Sequence, residues 1–149
     1  MSALHSFLRR HKRIALDTNV FIYTLEENPR YVGLAKEVLA WVEQQGNLAV
    51  TSTITMTEVL VKPYKAPGVL AARLWIYGLL STYPNLEWVA VDLEIADLAA
   101  RFRAHYGLKT PDALHAATAA RSGATGLVTN DSSFQRVPAF ETLTLDSLL

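Results

Sequence analysis

The sequence predicts an α/β fold, a parallel sheet with helices on both of its faces. Three features carry that expectation: four or five short apolar runs, longer segments of helical period between them, and glycines standing where those segments end. The candidate strands are Ile14-Ala15-Leu16, Leu48-Ala49-Val50-Thr51, Trp88-Val89-Ala90-Val91, Leu127-Val128-Thr129 and Leu143-Thr144-Leu145. Runs of this length suit a small buried sheet. Val32, Ala35, Val38, Leu39 and Val42 recur at helical spacing and stop near Gly46, a residue able to take the left-handed C-cap conformation. Ile95, Leu98, Ala99, Phe102 and Tyr106 form a second stripe before Gly107, and Val69, Leu70, Arg73, Leu74, Ile76, Tyr77 and Leu80 a third. The aromatics in these stripes read as core. Pro63 and Pro67 punctuate the segment 62–68, so a helix begun near Thr55 is expected to stop there and a new one to start near Pro67.

A chain of 149 residues is long enough to bury one continuous core, and a single domain over 1–149 is expected. Half of the residues are hydrophobic, yet no apolar run approaches the roughly 20 residues of a membrane-spanning helix, so a soluble protein is expected. Cysteine is absent, which removes disulfides, thiolate zinc sites and cysteine nucleophiles together and suits a cytoplasmic protein. A basic extension at 1–13 carries Arg9, Arg10, Lys12 and Arg13 with no acid before Asp17. A cleavable targeting peptide is rejected there, because a candidate strand begins at Ile14 and no apolar stretch with a small-residue cleavage site precedes it. Lys plus Arg equals Asp plus Glu at 14 each, so no overall basic excess announces nucleic acid. Gathering several acids in one pocket would nonetheless leave the remaining surface basic by subtraction. The N-terminal cluster itself reads as a solvated tail rather than an RNA contact.

Four acids draw attention by position. Asp17 directly follows the first strand and Asp131 lies two residues after Thr129 on the fourth. In parallel α/β sheets the carboxyl ends of the strands form the ligand crevice, so both are expected at one edge. Glu58 is expected in the first turn of the helix after strand two, which projects over the same edge. Thr110-Pro111-Asp112 reads as N-cap, N1 and N2 of a helix running toward the start of strand four, which brings Asp112 to that edge as well. Each acid singly has an ordinary explanation. Thr55-Met56-Thr57-Glu58 fits a capping box, Asp112 suits the positive end of a helix dipole, and Asp17 or Asp131 suits a turn cap. Together they do not, because four carboxylates in a partly dehydrated cleft repel one another. A hard divalent cation gives a reason to gather them: Mg²⁺ and Mn²⁺ prefer oxygen ligands, and Mg²⁺ keeps several waters while taking one or two carboxylates plus substrate phosphate oxygens. Phosphodiester hydrolysis is the matching chemistry, and it requires no serine, histidine or cysteine nucleophile.

Leu16-Asp17-Thr18-Asn19 with Val20-Phe21-Ile22 behind it, Thr55-x-x-Glu58-Val59, the run from Thr110-Pro111-Asp112-Ala113 through Leu114-His115-Ala116-Ala117-Thr118-Ala119, and Val128-Thr129-Asn130-Asp131 followed by Phe134 together resemble the PIN-domain family. Within it they resemble the toxin ribonucleases of bacterial VapBC toxin–antitoxin pairs, and almost the whole chain participates. The resemblance implies a three-layer α/β/α sandwich with a mainly parallel sheet, use of Mg²⁺ or Mn²⁺, and endonucleolytic cutting of RNA. By the same resemblance Asp17 and Asp112 correspond to direct metal ligands, Glu58 to an acid that orients water or binds a second ion, and Asp131 to a fourth, water-mediated acid. Asn19 and Thr129 correspond to residues supporting those ligands, although turn and strand-end hydrogen bonding explains them equally. A small antitoxin partner is implied too, and the half-hydrophobic composition adds the expectation that apolar surface around the helices after strands one and two binds a partner chain and a second copy, as a homodimer. The basic extension before Ile14 departs from toxins that begin almost at the first strand, which touches the antitoxin pairing and not the chemistry.

Several residues are weighed and set aside. His115, three residues after Asp112, reads as a packed histidine with a satisfied ring nitrogen rather than a proton carrier. Lys62 reads as a helical ion-pair partner of Glu58, while Lys109, Arg73, Arg121 and Arg136 are generic phosphate-contact candidates. A phosphatase with an aspartyl nucleophile would place a second Asp where Asn19 stands, and a dinucleotide-binding domain would need glycines after the first strand. A non-catalytic RNA-binding or scaffolding module is the remaining alternative, and the presence of all four acids argues against it.

Overall fold

The computed structural model of the chain describes residues 2–66 and 68–149. Five strands, β1 (Arg13–Leu16), β2 (Leu48–Ser52), β3 (Leu86–Val89), β4 (Gly126–Thr129) and β5 (Glu141–Thr144), form one sheet in the order β3-β2-β1-β4-β5. Every pairing is parallel, with Ile14 beside Ala49 on one side and beside Gly126 on the other. The helices are α1 (Ala3–Arg10), α2 (Thr18–Leu25), α3 (Val32–Glu43), α4 (Thr53–Lys65), α5 (Val69–Ser81), α6 (Leu93–Tyr106) and α7 (Thr110–Arg121). Short 3₁₀ helices follow β4 (Ser132–Arg136) and β5 (Leu145–Leu148).

The two-residue period of a strand sorts the core into two layers. Ile14, Leu16, Ala49 and Val128 face one layer, where they meet Leu4, Phe7, Val20, Phe21, Val38 and Val42 of the helices. Ala15, Val50 and Leu127 face the other, against Ile95, Ala99 and Phe102 of α6 and the alanines of α7. Ala113, Ala116, Ala117 and Ala119 are fully buried, and their small side chains bring α7 close to the sheet. The chain steps outward from β1 through β2 to β3, then crosses back to β4 and β5 on the other side. That reversal puts a topological switch point at β1 and β4, and a crevice opens beyond the carboxyl ends of two such strands.

The parallel sheet between two helical layers agrees with the expected sandwich. The differences are local. Strand β3 lies at 86–89 rather than 88–91, and β5 at 141–144 rather than 143–145. Helix α4 starts at Thr53 and runs through Pro63 to Lys65; a proline two residues from the end forfeits one late hydrogen bond, and the Ala66 N–H still closes onto the Pro63 carbonyl. The expected start near Pro67 lies outside the described residues, and α5 is helical from Val69. The α7 N-cap is Lys109, so Thr110 is already helical.

The largest correction is at the N-terminus, which is a packed helix and not a solvated tail. Leu4, Phe7 and Leu8 stand at helical spacing and each is 1% exposed, worth about 1.5–3 kcal/mol apiece relative to exposure. Ser2 caps α1 by accepting from the His5 N–H. Its basic residues hold it down: Arg10 pairs with Glu141, the His11 ring nitrogens sit 2.8 Å from Thr125 Oγ1 and 2.9 Å from Glu141 Oε2, and Arg13 donates to the Ser122 carbonyl at 2.8 Å. The approach is so close that a Cβ on Gly126 would stand 2.8 Å from His11 Cδ2 and 2.9 Å from Phe7 Cζ. Gly126→Ala is therefore expected to destabilise by about 1–3 kcal/mol in urea titrations. Gly33→Ala in α3, where a Cβ meets nothing within 4 Å, is the control and is expected to lose nothing.

Candidate active site

Asp17 leaves β1 as the N-cap of α2, its Oδ1 accepting from the Thr18 N–H at 2.8 Å. Its own N–H donates to the Val128 carbonyl at 3.0 Å, which continues the β1–β4 ladder and fixes where the side chain starts. Thr129, at the end of β4, donates from Oγ1 to Asp17 Oδ2 at 2.7 Å and accepts from the Asp131 N–H at 3.0 Å. One threonine thus ties the acid after β1 to the loop carrying the acid after β4. Asp131 caps the following 3₁₀ helix by accepting from the Ser133 N–H at 2.9 Å. So the capping explanation holds for Asp17 and Asp131, and the two are nonetheless brought together.

Glu58 arrives from α4. The expected capping box does not form, because α4 begins five residues earlier with Ser52 as its cap, so Glu58 lies in the second turn rather than the first. Its Oε1 accepts from Thr18 Oγ1 at 2.8 Å and lies 2.8 Å from His115 Nε2. Asp112, in the first turn of α7, completes the group at the switch point.

The electrostatics report the crowding. Burial pushes the Asp17 carboxyl above the usual range, opposed by His115, Thr129 and the Thr18 N–H and reinforced by the Glu58 charge. Asp112 is pushed up to about 6, first by burial and then by the charges of Asp131 and Asp17, with a further rise from its hydrogen bond to Asp131. Glu58 is lowered, chiefly by the hydrogen bond from His115. Asp131 is lowered as well: burial raises it, but the Ser133 N–H, the Asp112 carboxyl and the Lys109 charge outweigh that. One acid pushed up while its neighbours stay low is what like charges sharing a pocket produce.

Among the described residues no three carboxylate or imidazole groups are already closed into a metal-holding cluster. The donor set still suits a hydrated Mg²⁺ or Mn²⁺, which needs only one or two carboxylates and fills its other positions with water and substrate oxygens. Ser133 Oγ, two residues from Asp131, is a buried polar atom that makes no hydrogen bond of ordinary length.

The remaining sequence candidates divide. Thr129 bonds two of the acids directly, whereas Asn19 sits half-buried in α2 and makes no side-chain hydrogen bond to any of them. Lys62 pairs with Glu26 at 2.9 Å and not with Glu58. Arg73 donates to Tyr64, Arg121 pairs with Glu94, and Arg136 donates to the Tyr106 carbonyl at 3.2 Å. Lys109 alone of these stands within electrostatic reach of the acids. Sequence reasoning passed over Thr18, Thr51, Thr55 and the contact of His115 with Glu58. Each threonine is at most 4% exposed, and the readable signal was the Thr55-x-x-Glu58 spacing one helical turn apart.

A cavity of about 630 Å³ lies between α1 and α3, at the opposite edge of the sheet, lined in part by His5, Lys12 and Trp41 and by none of the four acids.

A search of curated proteins finds no match. Among solved structures, a toxin–antitoxin complex from Klebsiella pneumoniae is 28% identical with a TM-score of 0.67, over 89% of this chain and 97% of that one. DNA-bound VapBC from Salmonella typhimurium is 22% identical with a TM-score of 0.69, over 89% and 98%. FitAcB from Neisseria gonorrhoeae is 24% identical with a TM-score of 0.65, over 91% and 99%. The last two likenesses concern the fold. The PIN domain family matches residues 14–139, a span that contains all four acids and the whole of the crevice between β1 and β4, and the chain belongs to that family.

Proposed function

We propose that this chain is a Mg²⁺- or Mn²⁺-dependent endoribonuclease and the toxin of a toxin–antitoxin pair. The observation that carries the reading is Asp112, held near 6 by burial and by Asp131 and Asp17 at the switch point of the sheet. A fold needing only helix caps has no use for acids that destabilise one another. Asp17 and Asp112 are the proposed ligands, with Glu58 and Asp131 as further ligands or water-orienting acids. When bound, the cation supplies water activation and charge neutralisation for phosphodiester hydrolysis. The chain's own part is positional. Thr18 and Thr129 fix both oxygens of Asp17, His115 and Thr18 hold one oxygen of Glu58, and Lys109 stands beside the acids to meet a phosphate.

The toxin assignment draws on the toxin–antitoxin complex from Klebsiella pneumoniae at 28% identity. A small antitoxin and a second copy of this chain are the proposed partners. Helices α4 and α5 expose Tyr64, Leu70, Leu74 and Trp75, with Trp75 64% exposed, and these offer apolar surface for one of them. No helix among the described residues is long and apolar enough to cross a membrane.

Mapping RNA ends in cells after induced expression tests the reading. New internal ends are expected with the wild-type chain and none with Asp17→Asn. Equal bound RNA without new ends for both proteins would favour the non-catalytic module.

A further inference from the structure

On the reading that the cleft holds a divalent cation, we infer that His115 is a positioning residue, fixing Glu58 by one oxygen so that the other is presented to the cation or its water. Thr51 Oγ1 donates to the Leu16 carbonyl at 3.0 Å, which spends its only proton. Thr55 Oγ1, 2.7 Å from Thr51 Oγ1, must then be the donor in that pair, so it has nothing to give Thr18. Thr18 Oγ1 stands 2.8 Å from Glu58 Oε1 and 3.3 Å from Thr55 Oγ1, and its proton goes to the nearer, charged acceptor.

His115 Nε2 lies 2.8 Å from the same Glu58 oxygen and 3.2 Å from Thr18 Oγ1. Glu58 as a carboxylate only accepts, and the Thr18 proton is spent, so His115 Nε2 must carry the hydrogen. That tautomer has no lone pair on Nε2, which excludes the nitrogen as a metal ligand and as a base. What it does is hold. Oε1 of Glu58 takes both hydrogen bonds, while Oε2 has no partner among the described residues. His115 is 4% exposed on the well-packed α7, one turn beyond Asp112, so one rigid helix sets the spacing between Asp112 and the Glu58 carboxylate.

The test has two arms. In ¹H–¹⁵N correlation spectra of the imidazoles, with His115→Gln assigning the signal among the four histidines, His115 is expected to carry its hydrogen on Nε2, and Glu58→Gln is expected to shift that resonance. An Nδ1–H tautomer, or an Nε2 signal indifferent to Glu58→Gln, overturns the inference. In calorimetric titration with Mn²⁺, His115→Ala is expected to weaken binding by about tenfold or more, and His115→Gln, which keeps an N–H donor at similar reach, to recover most of the loss. Wild-type affinity in His115→Ala, or no recovery in a folded His115→Gln, also overturns it. The spectroscopic arm needs neither metal nor RNA. A wild-type chain that binds no Mn²⁺ therefore overturns the metal reading, while the imidazole signals still decide whether His115 holds Glu58.

Discussion

Asp17→Asn is expected to lower Mn²⁺-supported RNA cleavage by about a thousandfold with the fold intact. Metal catalysis of this kind is worth several kcal/mol of transition-state charge stabilisation, and about 4 kcal/mol corresponds to three orders of magnitude in rate. Asp17 is 6% exposed and both of its oxygens are already engaged, Oδ1 by the Thr18 N–H and Oδ2 by Thr129. An asparagine keeps the acceptor for the Thr18 N–H, and its amide can donate to Thr129 Oγ1, so the contact survives reversed at the cost of the Thr129 proton's acceptor. What disappears is the negative charge at the centre of the cleft. Initial rates on a single-stranded RNA, with near-ultraviolet circular dichroism to show native packing, measure the effect. A rate within tenfold of wild type would remove Asp17 from the metal site.

Asp112→Asn is expected to melt higher than wild type in EDTA at neutral pH, and the sign follows from proton binding. The carboxyl of Asp112 titrates near 6 in the folded chain against an ordinary 3.8. Folding therefore favours its protonated form, and as pH rises through that window the native state loses protons the unfolded state has already lost, so stability falls. Below pH about 4 the penalty is absent. The difference between Asp112→Asn and wild type should be near zero at pH 4 and grow to about 2–4 °C above pH 6, allowing for solvent screening of a partly exposed group. Saturating Mn²⁺ should reverse the order: wild type gains about 2.7 kcal/mol at one hundred times the dissociation constant, and the variant gains little. A helix-cap role predicts the other sign, a loss of about 0.3–1 kcal/mol for the variant at neutral pH with no change in metal response. Melting curves at pH 4 and pH 7, with EDTA and with Mn²⁺, separate the two.

The fold was legible because its determinants are local or periodic. Short apolar runs and helical stripes place β1, β2 and β4 within a residue or two, and Gly107, in the left-handed conformation at φ 69°, ends α6 where its sequence position indicates. Asp17 and Asp131 could be placed at one edge from chain order alone, since each follows a strand of a parallel sheet. Helix α1 escaped because the basic cluster Arg9, Arg10, Lys12 and Arg13 at and beyond its end reads as solvated, although Leu4, Phe7 and Leu8 have the spacing of one buried face. The Thr110 cap reading failed for a different reason: proline marks the first turn of a helix without distinguishing its first position from its second.

The support beneath the acids was illegible for a physical reason. His115 was expected to be packed with a satisfied ring nitrogen, and it is buried with Nε2 bonded. Its partner, Glu58, is 57 residues away in the chain, and nothing in an alanine-rich helix announces which acceptor the topology will deliver. The same holds for Thr18, whose hydroxyl meets Glu58 across 40 residues. Buried polar groups must find partners, but only the assembled sheet says which.

The most direct measurement is the metal requirement of the purified wild-type chain on a defined single-stranded RNA. The account predicts cleavage at internal phosphodiesters in Mg²⁺ or Mn²⁺, its loss in excess EDTA and its return when Mn²⁺ is restored beyond the chelator. Equal cleavage in excess EDTA, shared by Asp17→Asn and Asp112→Asn, would contradict a metal-dependent carboxylate site.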